Sequence, residues 1–382
     1  MGYEFIVPKD IFTGSEALDL ANIAFGNKAL IVTDPMMVQL GNVKYIEEKL
    51  ISKNIEYVIY SNVVGEPTDI MIMNGVETYL KNKCDFLIAI GGGSPIDSMK
   101  AIGTIITNGG HINDYIHKEI TEPLPPMVAV PTTAGTGSEA TQFTIITNTE
   151  KNIKMLLKGK VLIPDLAIVD PRFSMTAPKF VTSPTGLDAL CHAIESYSSR
   201  KAQPLSQTFS VSALKRIFKY LPIAYQDGSN IEAREQMSIA ALEAGIAFNN
   251  SSVTIIHGMS RPIGALYHIA HGLSNAVLLS DCLQFATQGH YDVFGKLSRE
   301  LGMATKEDDD QKATENLLDE INHLVSICEV PTLQQLKVDK DDFIHNIDKM
   351  ANDAIDSGSP ANTLRECSVE DLKQIYLKVI EK

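Results

Sequence analysis

The chain has 382 residues, of which 44% are hydrophobic and 21% charged, so it can bury a large core and exceeds the length at which a single core usually stops growing. Two domains are therefore expected. The formal net charge of −14 argues against a nucleic acid or an anionic membrane as a partner, because both select clustered lysine and arginine.

The cysteines predict a reducing, cytoplasmic environment. They form no CxxC pair and are odd in number, which fits free thiols better than disulfides; they are Cys84, Cys191, Cys282, Cys328 and Cys367. The N-terminus shows no basic region followed by an apolar run, and no stretch of about 18 apolar residues occurs in the chain. We expect a cytoplasmic protein that acts on a small molecule.

The first half alternates short β-branched runs with amphipathic patterns. The runs are apolar at nearly every position, which is typical of parallel strands buried on both faces; they are KALIVTD, IEYVIY, CDFLIAIGGG, MVAVPTT and DLAIVDP. The intervening segments repeat apolar residues at helical spacing. This half is predicted to be a doubly wound α/β domain of the Rossmann-like type.

The second half is predicted to be all-helical, because strand signals stop after roughly residue 175 and helical patterns follow one another to the end. The stretch TAPKFVTSPTG, from Thr176 to Gly186, contains two prolines and turn residues and is predicted to break the periodicity at the domain boundary. The predicted domains are residues 1–178 and 179–382.

Two glycine-rich or hydroxyl-rich loops follow predicted strands of the first domain. In IAIGGGSPIDSMKAIG, the residues Gly91, Gly92, Gly93 and Ser94 lead into a helix whose free N–H groups can bind a phosphate. The pattern is neither GxGxxG nor the Walker motif, and a tight strand-to-helix turn is an alternative interpretation. The loop VPTTAGTGSEAT follows another strand, so the pair predicts one extended ligand at the carboxyl edge of the sheet.

Asp34, at the end of the run KALIVTD, has two interpretations that the sequence leaves open. Its carboxylate can accept hydrogen bonds from a ribose, which would favour NAD over NADP because a 2′-phosphate would meet its negative charge. Asp34 followed by Pro35 is equally typical of a helix N-cap with proline in the first helical position.

The helical half carries metal-ligand spacing. Asp188 and His192 lie four residues apart in GLDALCHAIES, on one face of a helix, although such a pair also occurs without a metal. In HGMSRPIGALYHIAH, a straight helix would separate His257 and His271 by about 21 Å. We expect Gly258, Pro262 and Gly264 to interrupt it and let both histidines reach one ion. One Asp with three His suits Fe(II) or Zn(II).

These stretches together resemble the iron-dependent, or group III, alcohol dehydrogenase family over nearly the whole chain. The motifs that carry the resemblance, in order, are GGGSPIDSMKAIG, PTTAGTGSEAT, LIPDLAIVDP, GLDALCHAIESY and HGMSRPIGALYHIAHG. The resemblance implies the dehydroquinate synthase-like fold, with a Rossmann-like NAD(P)-binding domain, an all-α metal-binding domain and an active site between them. It also implies a homodimer or higher homo-oligomer.

The resemblance assigns roles to individual residues. It places the metal ligands, with Fe(II) expected and Zn(II) or Mn(II) as alternatives, on Asp188, His192, His257 and His271. It places pyrophosphate contacts on Gly92, Gly93, Ser94 and Asp97, and other NAD(H) contacts on Thr132, Thr133, Ser138 and Lys154. Asp34 matches a position where an acidic residue accompanies NAD preference.

Arg261 departs from the family pattern. Many members read HGMAHP, where this chain reads HGMSRP, so a histidine often assigned to substrate binding or proton transfer is replaced by an arginine, which cannot donate a proton at neutral pH. Proton exchange would then use water, a ribose hydroxyl or His268. One hypothesis is that Arg261 binds an anionic substrate tail. The alternatives are pairing with a protein carboxylate or a cofactor phosphate.

A second departure is that the family's Asn-Pro-Arg appears as Asn362-Thr363-Leu364-Arg365.

The resemblance therefore predicts a metal-dependent, NAD(H)-linked alcohol dehydrogenase that interconverts a short primary alcohol and its aldehyde by hydride transfer, with His271 among the residues that hold the catalytic metal. Alternatives on the same fold are a glycerol-dehydrogenase-like polyol oxidation with zinc and a dehydroquinate-synthase-like lyase without net redox turnover. A non-catalytic scaffold is a third alternative, but it would not need four metal ligands and two nucleotide loops.

Overall fold

The computed structural model describes residues 2–151 and 153–382. The chain divides into two compact units. The first is Ile6–Ala177, and the second is Pro178–Lys382 together with residues 2–5. Among the described residues, no helix is both long enough and apolar enough to span a membrane.

The first unit contains a parallel sheet and a separate hairpin. In chain order, the described strands are β1 Asp10–Thr13, β2 Lys28–Thr33, β3 Glu56–Tyr60, β4 Phe86–Gly91, β5 Met127–Pro131, β6 Phe143–Asn148, β7 Ile153–Lys158 and β8 Leu166–Val169. The sheet has the order β1-β8-β5-β4-β2-β3, and each neighbouring pair is parallel. Strands β6 and β7 form an antiparallel hairpin.

All five predicted strands are present, and four are buried as predicted. Strands β2, β4, β5 and β8 are buried almost throughout. The prediction was wrong in this respect for IEYVIY, because β3 is the last strand of the sheet and Glu56 is exposed. The sequence did not predict β1, which pairs with β8, or the β6–β7 hairpin.

Helices cover both faces of the sheet. The described α-helices of this unit are α1 Ala17–Leu20, α2 Pro35–Gln39, α3 Asn42–Ser52, α4 Asp69–Asn82 and α5 Gly93–Asn108. Leu30 and Val32 of β2 belong to a core that includes residues of α4 and α5. Ala29 and Ile31, which point to the other face, belong to a core with residues of α1 and α3. This arrangement is the doubly wound α/β fold that was predicted.

The second unit is helical, as predicted. Its described helices are α6 Lys179–Tyr197, α7 Pro204–Gln226, α8 Ile231–Asn249, α9 Ile255–Tyr267, α10 His271–Ala286, α11 Tyr291–Leu301, α12 Asp310–Ile327, α13 Lys340–Asp356 and α14 Val369–Ile380. Helices α6, α7 and α8 pack against one another, and α10 packs against both α6 and α9.

Two expectations about breaks in these helices were wrong. The stretch from Thr176 to Gly186 contains the division between the two units, which falls between Ala177 and Pro178. From Lys179 onwards, however, it does not interrupt the helical periodicity, because α6 begins there and continues through Pro184. A proline at this position removes its own backbone hydrogen bond and crowds the carbonyl of Phe180, and the many buried side chains of α6 compensate for that cost.

The turn that brings His257 towards His271 is also not where the sequence placed it. Gly258, Pro262 and Gly264 all lie inside α9. The chain reverses at His268, which caps α9 in the left-handed conformation with φ 54°, and α10 begins at His271.

Candidate functional site

Four side chains of the helical unit converge to form a cluster that could hold a metal ion, called here the metal cluster. They are Asp188 and His192 on α6, His257 on α9 and His271 at the start of α10, and one ligand atom from each lies within 4.8 Å of all the others. The Asp188 Oδ1 atom is 3.5 Å from His257 Nε2, 3.7 Å from His271 Nε2 and 4.0 Å from His192 Nε2.

These separations fit a bound divalent cation. Ligand bonds of about 2.0–2.2 Å in tetrahedral geometry place neighbouring ligand atoms roughly 3.3–3.6 Å apart, which is close to the separations around Asp188. The donor set contains one carboxylate, three imidazoles and no thiolate, a combination that suits Fe(II) or Zn(II). The residues present therefore fit the metal that the sequence predicted.

The local sequence explains how three helices meet here. Asp188 and His192 are one turn apart on α6, so their side chains share a face. Gly272 follows His271, and a Cβ atom at Gly272 would lie 2.4 Å from the carbonyl oxygen of Pro184 on α6. Only glycine permits this close approach, which sets the first turn of α10 against α6.

The cluster also perturbs the pKa values of its members. Burial by itself would raise the pKa of Asp188, but the neighbouring histidines hold it far below its usual range. Burial lowers the pKa of His271 to about 3. The pKa of His257 rises to about 9, because Glu195 and Asp188 together outweigh the effect of burial. Three imidazoles thus share one ligand carboxylate, an arrangement that a divalent cation would stabilise.

Glu195 supports the cluster and was missed from the sequence. Its side chain is only 1% exposed; one oxygen accepts hydrogen bonds from Thr254 Oγ1 at 2.8 Å and the Ile256 backbone N–H at 2.7 Å. The other oxygen contacts His257 Nδ1. This contact fixes the ring so that Nε2 faces the metal position. The available signal was spacing, since Glu195 lies three residues after His192 on the same helix.

Asn275 is the second missed residue. It is fully buried, and its amide nitrogen lies 2.7 Å from Asp188 Oδ1, 3.1 Å from His257 Nε2 and 3.3 Å from His271 Nε2. Its position four residues after His271 on α10 places it one turn further along the same face. Asn275 therefore orients the Asp188 carboxylate relative to two of the histidines.

Arg261 and His268 have different surroundings. Arg261 lies one turn after His257 on α9 and is partly buried. Its charge contributes to the lowered pKa of His271. His268 is exposed at the C-terminal cap of α9 and is not one of the four residues of the metal cluster.

The two predicted nucleotide loops lie beside one another in the α/β unit. Gly91 has φ 155°, and a Cβ atom there would lie 2.4 Å from Pro95. A Cβ atom on Gly92 would lie 3.3 Å from Thr133 Oγ1, and one on Gly93 would lie 3.0 Å from Thr136. Because α5 begins at Gly93, its free backbone N–H groups lie where both loops meet, and these donors suit a phosphate.

Hydrogen bonds to Gly91 and Asp97 fix other residues of the second loop. Thr132 is buried and donates its backbone N–H to the Gly91 carbonyl at 2.9 Å. Ser138 is 9% exposed and its hydroxyl bonds to the Asp97 carboxylate. The same carboxylate accepts the Ile145 backbone N–H at 2.9 Å, and burial raises the pKa of Asp97 to about 6. Asp97 thus anchors the second loop and β6 to α5.

Lys100, which the sequence did not single out, completes this anchor. Its side chain is fully buried, and its ammonium group donates to the carbonyls of Ser138 at 2.7 Å, Thr141 at 2.8 Å and Phe143 at 2.9 Å. Burial lowers the pKa of Lys100 to about 8 and raises that of neighbouring Glu139 to about 7. One helix therefore presents the first loop at its N-terminus and fixes the second loop two turns later.

Asp34 and Lys154 both have partners. Asp34 Oδ1 accepts the Met37 backbone N–H at 2.9 Å and caps α2, so the capping interpretation is confirmed, and the side chain remains partly exposed. Lys154 on β7 forms an ion pair of 2.5 Å with Glu66.

Comparison with known proteins identifies the family. Residues 8–171 match the family described as iron-containing alcohol dehydrogenase, and residues 182–380 match the C-terminal region of the Fe-containing alcohol dehydrogenase family. The chain belongs to the iron-containing alcohol dehydrogenase family. The family predicted from the five motifs is therefore confirmed, and the chain is an oxidoreductase that interconverts alcohols and aldehydes.

Relatives of known activity match over most of their length. The chain is 33% identical to a choline dehydrogenase of Bacillus subtilis, covering 92% of this chain and 87% of the relative. It is also 33% identical to an NAD-dependent methanol dehydrogenase of Bacillus methanolicus, covering 91% of each.

Solved structures of the family share the fold. A 1,3-propanediol oxidoreductase has a TM-score of 0.95 at 32% identity and covers 99% of this chain and 100% of its own. A sulfoacetaldehyde reductase from Bifidobacterium kashiwanohense, solved with NAD+, has a TM-score of 0.90 at 26% identity and covers 100% of both chains. The predicted fold class is therefore confirmed.

Proposed function

We propose that this member of the family is an NAD(H)-linked, Fe(II)-dependent enzyme that interconverts a short primary alcohol and its aldehyde. The observation that carries the proposal is the cluster of Asp188, His192, His257 and His271, of which the first three are buried and His271 is partly exposed. A protein that only bound nucleotide would not need four converging ligands. Zn(II) and Mn(II) are the alternative metals, because the donor set accepts them as well.

Different residues bind the metal and the NAD(H). When bound, the metal supplies Lewis acidity to the substrate oxygen, and the nicotinamide accepts or donates the hydride. The metal is held by the four ligands, including the catalytic His271, while Glu195 fixes the orientation of the His257 ring. Gly92, Gly93 and Ser94 bind the pyrophosphate, with Asp97 beside them. Thr132, Thr133, Ser138 and Lys154 bind the remainder of the NAD(H).

NAD rather than NADP is proposed as the cofactor, and Asp34 supports this choice. Relatives differ in this respect, since one is named an NAD-dependent methanol dehydrogenase and another an NADPH-dependent butanol dehydrogenase. Asp34 uses one oxygen to cap α2, and its remaining oxygen is available for a ribose hydroxyl. A 2′-phosphate at the same place would meet a negative charge.

Proton exchange at the substrate oxygen needs a relay that does not use Arg261, because a guanidinium stays protonated at neutral pH. We propose a relay through water, a ribose hydroxyl or the exposed imidazole of His268.

We also propose a cytoplasmic location, which the free thiols of all five cysteines support. The proposed assembly is a homodimer or higher homo-oligomer, which light scattering would test.

Anaerobic reconstitution tests the proposal. The metal-free chain is loaded with Fe(II), Zn(II) or Mn(II), and NADH oxidation is followed with short aldehydes. The proposal predicts substrate-dependent loss of NADH, fastest with Fe(II). Product formation without net loss of NADH would support the lyase alternative. Glycerol oxidation that is fastest with Zn(II) would support the polyol alternative.

A further inference from the structure

Arg261 differs from every other arginine in the described residues. The other six each form a hydrogen bond or an ion pair with a carboxylate, an amide, a hydroxyl or a carbonyl; they are Arg172, Arg200, Arg216, Arg234, Arg299 and Arg365. Within residues 2–151 and 153–382, no hydrogen bond or ion pair is found for Arg261, although its side chain is partly buried. A partly desolvated guanidinium without a partner is costly.

Nearby carboxylates do not supply the missing partner. Glu195 attracts Arg261 electrostatically, but its oxygens already accept hydrogen bonds from Thr254, Ile256 and His257. Asp188 is held by Asn275 and faces the three histidines. Pairing with a protein carboxylate, one of the alternatives for Arg261, is therefore not observed among the described residues.

Arg261 also lies beside the reacting position. It follows His257 by one helical turn, and residues at this spacing have Cβ atoms about 5–6 Å apart. Its guanidinium also lies near enough to His271, another residue of the cluster, to interact with it electrostatically. A substrate whose oxygen is bound at the metal therefore has Arg261 within reach of a short tail.

We infer that Arg261 binds the anionic tail of the substrate, which is a short aldehyde or alcohol carrying a carboxylate, sulfonate or phosphonate. The planar fork of a guanidinium matches two oxygens of such a group, and the tail completes the ion pair that the protein leaves open. This inference rests on the proposed function, because it concerns the substrate of the same site.

A charge series of substrates tests the inference. The series compares sulfoacetaldehyde with its neutral methyl sulfone analogue and with trimethylammonioacetaldehyde, which is cationic. The wild-type holoenzyme is expected to show kcat/KM about 100-fold higher for the anion than for the neutral analogue, and lowest for the cation. Malonic semialdehyde and phosphonoacetaldehyde, which have the same spacing between aldehyde and anion, identify which anion fits best.

Arg261→Met should abolish this preference, and Arg261→Lys should retain part of it, because lysine keeps the charge without the fork. Arg299→Met is the matched control, since Arg299 pairs with Asp310 at 2.8 Å, and should leave the preference unchanged. Equal kcat/KM for the anionic and neutral aldehydes in the wild type would overturn the inference.

Binding measurements separate this inference from its rivals. Ethanesulfonate should protect wild-type holoenzyme against thermal unfolding and should not protect Arg261→Met. If Arg261→Met instead weakens NADH binding and slows all three aldehydes equally, Arg261 contacts a cofactor phosphate and the inference is wrong. If no aldehyde is reduced, the proposed function fails, while ethanesulfonate binding still reports on Arg261.

Discussion

Glu195 is hydrogen-bonded to Nδ1 of His257, which leaves Nε2 of that ring directed at Asp188. The carboxylate also accepts hydrogen bonds from Thr254 and Ile256 at the start of α9. A single buried side chain on α6 therefore fixes both the beginning of α9 and the orientation of its ligand. Partners of this kind hold a metal-bound imidazole in one tautomer.

Replacing Glu195 should weaken metal binding without removing a ligand. For Glu195→Gln we expect affinity for Fe(II) or Zn(II) to fall about 10–100-fold, because the amide cannot accept from all the donors that the carboxylate satisfies. Titration of the metal-free protein against a competing chelator measures this change. Glu243→Gln, on α8, is a control that should keep wild-type affinity. Unchanged affinity in Glu195→Gln would contradict the positioning role.

His271→Ala should reduce metal content and kcat together. The substitution removes one of the four proposed ligands, and activity that depends on the ion must follow its occupancy. Elemental analysis alongside kinetics tests this relation. His290→Ala, just before α11, is the control. Full metal occupancy in His271→Ala would show that His271 is not a ligand.

Lys100→Met should weaken NADH binding more than it lowers kcat. The ammonium group holds three carbonyls between Ser138 and Phe143, so its loss frees the second nucleotide loop. We expect the dissociation constant of NADH to rise about 10-fold or more, measured by nucleotide fluorescence. Because replacing a buried lysine can disturb folding, two substitutions at Thr141 provide a milder test of the same contact.

Thr141 Oγ1 lies 3.0 Å from Lys100 Nζ. Thr141→Ser keeps this hydroxyl and should bind NADH normally, whereas Thr141→Val loses it and should bind NADH more weakly. The anchoring role would be refuted if Lys100→Met, Thr141→Ser and Thr141→Val all bound NADH with equal affinity and had the circular dichroism spectrum of the wild type.

The two roles of Asp34 can be separated by substitution. Asp34→Ser removes the charge and keeps a side chain able to cap α2, whereas Asp34→Ala removes both. We expect the preference for NADH over NADPH to fall about 10-fold or more in both variants. Only Asp34→Ala should also lose about 1 kcal/mol of unfolding free energy. Specificity constants and urea unfolding measure the two effects, and an unchanged NADH preference would remove the cofactor role.

Glu139 should make the unfolding free energy depend on pH. Burial raises its pKa from 4.5 to about 7, so between these values the folded chain keeps a proton that the unfolded chain has released. The unfolding free energy must therefore fall as pH rises through this interval, by up to about 1.4 kcal/mol per pH unit from this group. Asp97, with its pKa raised to about 6, contributes in the same direction.

Glu139→Gln should flatten this profile, because the amide does not titrate. Lys100 does not mask the effect, since its lowered pKa of about 8 lies above the interval. Urea unfolding at several pH values across the interval compares the variant with the wild type. Parallel profiles would show that Glu139 ionises normally.

The sequence predicted those features that a local pattern of residues determines. Parallel strands such as LIAI in β4 are apolar on both faces, so their runs are continuous and easily recognised. The spacing of Asp188 and His192 predicted a shared helix face, and the structure brings both together with His257 and His271.

Other features depend on contacts between distant residues. Strand β1 is short and partly exposed, and it exists because β8 pairs with it. In the sequence, Lys100 cannot be distinguished from any other lysine of a helix. Its role depends on the carbonyl groups of the second loop, which the fold places around its ammonium group. The glycines and the proline of α9 predicted a turn, but helical packing retained them, and the turn falls at His268 instead.

That turn has a consequence for stabilising this enzyme. The left-handed backbone of His268 costs roughly 1–2 kcal/mol for a residue with a Cβ atom and almost nothing for glycine. His268→Gly should therefore raise the melting temperature while deleting the imidazole. Comparing turnover and melting temperature of the wild type with those of His268→Gly and His268→Asn, both of which lack the imidazole, would reveal whether a higher melting temperature is gained at the expense of proton transfer.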